Sequence, residues 1–230
     1  QTILVLAGPK ARDVLSACAR GDWSREAFPW LGVRECFIGF SPATVLGVSF
    51  SGELAYEIHV PNASLYATYM ALRNAGKAHG MKLFGGRAIE SMRMEKGFMH
   101  WKADLITEFD PFETGLGRFV RLGKGDFIGK DALLGRQAEG PRRKLVTLKI
   151  DAINAPAHRG ASLMQDDAVV GTITSGDWGH RVGLNLAFAF VDAELASEGS
   201  TMLLDLCGDL IGAEVIAPSP YDPSHALAHR

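Results

Sequence analysis

Cysteine is scarce in this sequence: Cys18, Cys36 and Cys207 lie far apart, with no Cys-x-x-Cys and no paired histidine spacing. Neither a disulfide framework nor a zinc site is indicated, which fits a reducing compartment. Charge of one sign is missing as well. The net formal charge is -2 with both signs scattered evenly, so no broad basic field exists for nucleic acid or anionic lipid, and no like-charge run forms a tail. No apolar run approaches the ~18 residues of a membrane span, and no signal-peptide pattern is visible. Neither a nucleic-acid nor a membrane partner is expected. The expected compartment is the cytoplasm, or the mitochondrial matrix in a eukaryote. The familiar catalytic signatures are absent too: no Gly-x-Ser-x-Gly elbow, no His-Glu-x-x-His, no cysteine inside a recognisable motif. Metal and acyl-transfer readings therefore drop. His225 and His229 are spaced i, i+4 near the terminus with no third ligand, and no metal site is assigned.

What is present is a chain of 230 residues, long enough for one large core or two modest ones. Gln1 leads directly into an apolar strand, and the chain is expected to be part of something longer. Thr2 to Ala7 reads as that strand. Gly8-Pro9 then opens a helix to about Ala19, but this unit lacks the three spaced glycines of a dinucleotide fingerprint and the Gly-Lys-Ser/Thr of a phosphate loop. A strand is expected from Arg34 to Phe40. A β-hairpin follows, with Val45, Val48 and Phe50 on one arm, Ser51-Gly52-Glu53 as turn and Ala55 to Val60 as the return arm. Helices are expected from Leu65 to Gly76 and from Arg87 to Lys96, the second stopped by Gly97. Residues 98–120, rich in aromatics, acids, glycine and proline, read as a structured loop that carries function. A short strand is expected over Phe119 to Leu122 and a helix start within Asp126 to Leu134. Gly135 to Lys144 is the best candidate boundary. Beyond it the texture becomes all-β: Leu145–Ile150, Gly160–Met164, Val169–Thr174, Leu186–Val191, Thr201–Leu206 and Ile211–Ala217 are short apolar runs broken by turn residues, the pattern of a small barrel or sandwich.

Three features could carry chemistry. On the return arm, alternation places Tyr56, Ile58 and Val60 on one face and Ala55, Glu57 and His59 on the other. Glu57 is out of place in a packed strand, because a buried carboxylate costs several kcal/mol unless paired, hydrogen-bonded or neutralised; its face is either solvent or a site. Arg87 stands in the first turn of its helix, against the macrodipole, where pairing with Glu90 at i+3 is the structural alternative. The aromatic loop supplies Phe98, His100 and Trp101. A carboxylate, an arginine and aromatics can hold a flat, nitrogen-rich heterocycle, although spacing alone does not bring them together.

Five segments taken in order resemble the glycine-cleavage T-protein (aminomethyltransferase) family. They are Leu-Ala-Gly-Pro-Lys-Ala at 6–11, Ser-Phe-Ser-Gly-Glu-Leu-Ala-Tyr-Glu-Ile-His-Val-Pro at 49–61, Gly-Gly-Arg-Ala-Ile-Glu-Ser-Met-Arg-Met-Glu-Lys-Gly at 85–97, Pro-Phe-Glu-Thr-Gly-Leu at 111–116 and Phe-Ile-Gly-Lys-Asp-Ala-Leu at 127–133. His100-Trp101 and the stretch Thr174 to Gly183 are closer to the folate-binding C-terminal region of sarcosine and dimethylglycine dehydrogenases. The resemblance implies tetrahydrofolate as cofactor, with Glu57 at the pterin, Arg87 also on the folate, Trp101 in the loop that lines the cavity and Tyr221 reaching the folate from the tail. Glu53, the first acid of the motif, is assigned to the turn. Flavin adenine dinucleotide, where used, would belong to a dehydrogenase domain outside this chain. The family's catalytic aspartate falls in a segment preceding the strand with which this chain begins, so no residue here is assigned to catalysis.

The fold expected is therefore α+β: a T-protein-like folate-binding region of antiparallel strands and helices over residues 1–140, its N-terminal part missing, followed by a small C-terminal β-barrel over 145–230. The function implied is folate-dependent one-carbon transfer. A methylene group from an N-methyl amine of the glycine, sarcosine or dimethylglycine type would pass to tetrahydrofolate, giving 5,10-methylenetetrahydrofolate. The alternatives are a folate-dependent demethylase of an O- or S-methyl donor, and a folate-binding module without turnover.

Overall fold

The structure, a computed structural model, describes residues 1–230. It divides into two compact units, 1–96 together with 221–230, and 97–220.

The first unit is built on a four-stranded antiparallel sheet of β1 (Thr2–Ala7), β2 (Val33–Ile38), β3 (Ser41–Leu46) and β4 (Ala55–Val60), in the order β1-β4-β3-β2. Strands β2 and β3 meet in a two-residue turn at Gly39-Phe40, with Gly39 at φ 59°, a conformation glycine adopts without steric cost. Period-two alternation gives the sheet one apolar face. Leu6, Val45, Tyr56, Ile58 and Val60 turn to that side and pack with Val14 and Leu15 of α1 (Ala11–Cys18) and Leu72 of α2 (Leu65–Gly76). Burying each such side chain is worth roughly 1.5–3 kcal/mol, so this face decides the register. Burial also pushes the Cys18 thiol up to about 11, which leaves it without thiolate at neutral pH. Helix α3 (Gly86–Lys96) completes the unit and ends at Gly97, φ 74°, as the sequence anticipates.

The expected hairpin is modified. Its first arm ends at Leu46, and residues 47–54 form a longer connection in which Gly52 N–H donates to Ser49 Oγ at 3.0 Å and Glu53 N–H to Ser51 Oγ at 3.3 Å. Serine hydroxyls that take up backbone donors compete with a ladder and favour a turn.

In the second unit six strands close an antiparallel barrel: β5 (Arg143–Ile150), β6 (Ser162–Gln165), β7 (Ala168–Gly179), β8 (Leu184–Asp192), β9 (Thr201–Leu206) and β10 (Asp209–Ile216), ordered β10-β5-β8-β7-β6-β9. All six expected runs are there. Strand β7 is longer than its apolar run because an irregularity between Ile173 and Ser175 lets pairing with β8 continue to Gly179 opposite Leu184. Strand β8 is buried on both faces. Ala187, Ala189 and Val191 face the barrel interior, while Phe190 carries Phe109 stacked on it at 3.5 Å between centroids.

The segment before the barrel packs against it: Leu145 N–H donates to Glu113 O at 2.8 Å, and Arg143 N–H to Glu113 Oε1 at 3.3 Å. Compactness therefore groups residues 97–142 with the barrel, whereas the sequence division at 140–145 follows the change to all-β texture. The short strand expected over Phe119 to Leu122 does not form. Leu116–Phe119 make a 3-10 turn instead, since a lone apolar run of this length finds no neighbouring strand to pair with. The helix expected after Asp126 is α4 (Lys130–Glu139).

Candidate functional site

Glu57 lies on the face of the sheet opposite the helices. It stands across from Val5 of β1 and Leu46 of β3, while His59 stands across from Ile3 and Thr44. The carboxylate is thus set among aliphatic side chains, with Ile3 and Val5 both more than two-fifths exposed. Its partner is His59, whose Nε2 is 3.3 Å from Glu57 Oε2. One carboxylate oxygen remains without a protein donor, so the group can accept from a ligand.

Arg87 is exposed at the start of α3. The alternative pairing is not formed, because Glu90 instead binds Arg93, at 2.9 Å to both Nε and Nη2. Arg93 is almost wholly buried and so holds the acid more firmly. The Arg87 guanidinium is left free of any ion pair, and its five donors in a fixed fork are available to an anion.

Beside this helix start is a cavity of about 550 Å³ bordered by β1, α2 and residues 79–86. Ile3 and Val5, which share Glu57's face, line it, as do Gly86 and Ile89 on either side of Arg87. Glu57 and Arg87 themselves do not.

Tyr221 is brought to the 47–54 connection from the far end of the chain. Its hydroxyl donates to Glu53 Oε1 at 2.6 Å, and its N–H donates to Glu95 O at 3.0 Å. Lys96, with no side-chain surface exposed, donates through Nζ to Tyr221 O at 3.4 Å, to Asp222 Oδ2 at 3.0 Å and also to Asp222 O. Partial burial pushes the Asp222 carboxyl up, but the hydrogen bonds from Lys96 and from the N–H groups of Leu227 and Ala226 outweigh it and hold the group below the usual carboxylate range. Gly52, at φ 79°, admits the lysine stem; a Cβ there would lie 2.9 Å from Lys96 Cδ. Glu53 thus does more than shape a turn. The sequence assigns Glu53 to the turn alone and gives Lys96 no role, because a carboxylate beside a glycine and a lysine ending a helix are both ordinary surface patterns.

Trp101 belongs to the second unit and is two-thirds exposed. It borders a cavity of about 420 Å³ with Leu105, Ile106 and Phe109. The loop beneath it is fastened by Asp104, which is fully buried: Oδ1 accepts from Thr174 Oγ1 and Ser175 Oγ at 2.6 Å each, and Oδ2 from His100 N at 2.7 Å. The aromatic loop is therefore a fixed platform. His229, one of the terminal pair, stacks on Trp30 at 5.1 Å.

A sheet backed by helices in one unit and a closed six-stranded barrel in the other make up a known fold. The crystal structure of glycine cleavage system aminomethyltransferase T from Bartonella henselae superposes with a TM-score of 0.84 at 24% identity, over 96% of this chain and 60% of that one. The family model described as the GCVT N-terminal domain matches residues 1–124, and the glycine cleavage T-protein C-terminal barrel domain matches residues 143–222. The chain belongs to the glycine-cleavage T-protein family. It is 34% identical to human mitochondrial dimethylglycine dehydrogenase over 93% of its length, covering 25% of that protein. It is 32% identical to mouse mitochondrial sarcosine dehydrogenase, again covering 25%. To the aminomethyltransferase of Saccharopolyspora erythraea it is 32% identical, covering 58% of that protein. The chain thus spans only part of each of these relatives.

Proposed function

We propose that this chain binds a reduced folate through Glu57, Arg87 and Tyr221, and that it is the folate-using part of an aminomethyltransferase-type enzyme. The observation that carries the reading is the placement of Glu57, a carboxylate with a spare acceptor oxygen among Val5, Leu46, Ile3 and His59. A carboxylate on an apolar surface suits a flat ring with adjacent N–H donors, where a few polar groups set orientation and aliphatic groups cover the ring. Arg87, unpaired, suits an anionic group of the same ligand. The donor and acceptor set fits tetrahydrofolate.

The reaction proposed is acceptance of a one-carbon unit from an oxidised N-methyl amine, yielding 5,10-methylenetetrahydrofolate. The folate supplies the nucleophilic nitrogen when bound; the residues of this chain bind and orient it. A flavin that oxidises the amine would sit in a domain outside these residues, which cover only 25% of the relatives named as dehydrogenases. Those names also place the relatives in mitochondria, and a matrix or cytoplasmic location is proposed for this chain. Calorimetric titration with folinic acid tests the site: binding is expected, and Glu57→Ala is expected to reduce it at least about tenfold, the worth of a charged hydrogen bond. Unchanged affinity in that variant sinks the assignment.

A further inference from the structure

On the helix-facing side of β4 is a small cavity of about 10 Å³, bordered among others by Arg12, Arg25, Phe28, Tyr56, His229 and Arg230. It has room for one group of about the size of a water molecule. Tyr56 lines it and is 1% exposed, and the tyrosine hydroxyl has no hydrogen-bond partner in the protein. A buried polar group left unmatched calls for an explanation, and a water or an ion at that atom supplies one.

The polar groups around the cavity decide between the two. Backbone carbonyls that border it are already engaged: Phe28 O and Arg230 O accept from Arg12, Pro29 O from Gly32 N–H, Gly47 O from Leu31 N–H and Leu54 O from Gly8 N–H. What remains is donors. Arg12 donates through Nη1 to Trp23 O and Phe28 O and through Nη2 to Arg230 O, which leaves Nε–H and the second Nη2 hydrogen. Its guanidinium carbon lies 5.8 Å from the centre of the Tyr56 ring. Arg25 is exposed and has no ion pair, and no carboxylate side chain borders the cavity. A water held by several partners both donates and accepts, whereas an anion only accepts. We infer that this cavity is a binding site for a small inorganic anion of halide size, held by the Tyr56 hydroxyl and the Arg12 guanidinium. Hydrogen bonds to an ionised partner are the strong ones. The anion would join β4 and α1 beside the tail, whose last carbonyl Arg12 already holds. Tyr56 and Glu57 turn to opposite faces of β4, so the site is independent of the folate reading.

The experiment titrates chloride into the protein in gluconate buffer, whose anion is too large to enter, at constant ionic strength. The chlorine NMR linewidth and the thermal unfolding midpoint are followed together. Saturable broadening that bromide displaces is expected, with a higher midpoint in chloride than in gluconate. Tyr56→Phe is expected to weaken chloride binding at least about tenfold, while in gluconate it unfolds no lower than the wild type. Arg12→Gln is expected to abolish the broadening; because Arg12 also holds three carbonyls, Tyr56→Phe carries the test if that variant does not fold. Absence of saturable broadening in the wild type overturns the proposal and leaves water as the partner of the hydroxyl. Chloride bound by Tyr56→Phe as tightly as by the wild type overturns it equally. The folinic acid titration concerns the other face of β4, and its failure leaves these outcomes as they stand.

Discussion

Tyr56 shows how far a single residue can depart from expectation. Alternation assigns it correctly to the apolar face of β4, and it is 1% exposed, yet its hydroxyl has no hydrogen-bond partner. Burial pushes the phenol's pKa up, the Arg12 guanidinium over the ring opposing it. An unmatched buried hydroxyl carries a desolvation cost with no compensating bond. Tyr56→Phe is therefore expected to leave stability unchanged or raise it by up to about 1 kcal/mol, read as the midpoint of urea unfolding; a loss greater than about 1 kcal/mol would reveal a hydrogen bond the structure does not contain. Glu57 and Glu53 were legible to different degrees for a related reason. Strand alternation assigns Glu57 to a face, but nothing local to Glu53 announces a tyrosine that lies 168 residues away in sequence.

At the scale of elements, the aromatic loop is the informative case. It has no periodicity, so its conformation is set by partners rather than by its own pattern. Asp104 provides the attachment, and Asp104→Ala would strip an acceptor from two barrel hydroxyls and from the His100 N–H. A cost of roughly 3 kcal/mol is expected, with the barrel still formed and the Trp101 fluorescence shifted toward that of a mobile side chain. A variant as stable as the wild type would show that the loop is held by other contacts. The six barrel strands were readable because alternation and turn residues are local signals. The outward burial of Phe190 beneath Phe109 was not, since a face covered by another segment and a face left in water can share one sequence pattern.

Over the whole molecule, chain-distant contacts join residues 221–230 to the first unit. The Lys96 and Asp222 pair is the clearest of them. Because the folded Asp222 carboxyl lies below the usual range, its contribution is fully present above the unfolded value of about 3.9 and is lost as pH falls through the lower folded value. The amide resonances of Ala226 and Leu227, which donate to this carboxylate, are expected to titrate with a midpoint under about 3.9, and Lys96→Met is expected to raise that midpoint. A wild-type midpoint at or above the ordinary value would contradict the pairing.

The sequence by itself determined β1, β2, β4 and the six strands of the barrel, the helices α2 and α3, and the ordered motifs of the family. All of these follow from periodicity, turn chemistry and local spacing, which act over a few residues. Only the tertiary structure decided that Glu90 turns to Arg93 and leaves Arg87 free, that Gly52 makes room for a buried lysine, and that Glu53 takes the proton of Tyr221. Each depends on which surfaces the fold brings within about 3 Å of one another, a matter that no local pattern of residues encodes.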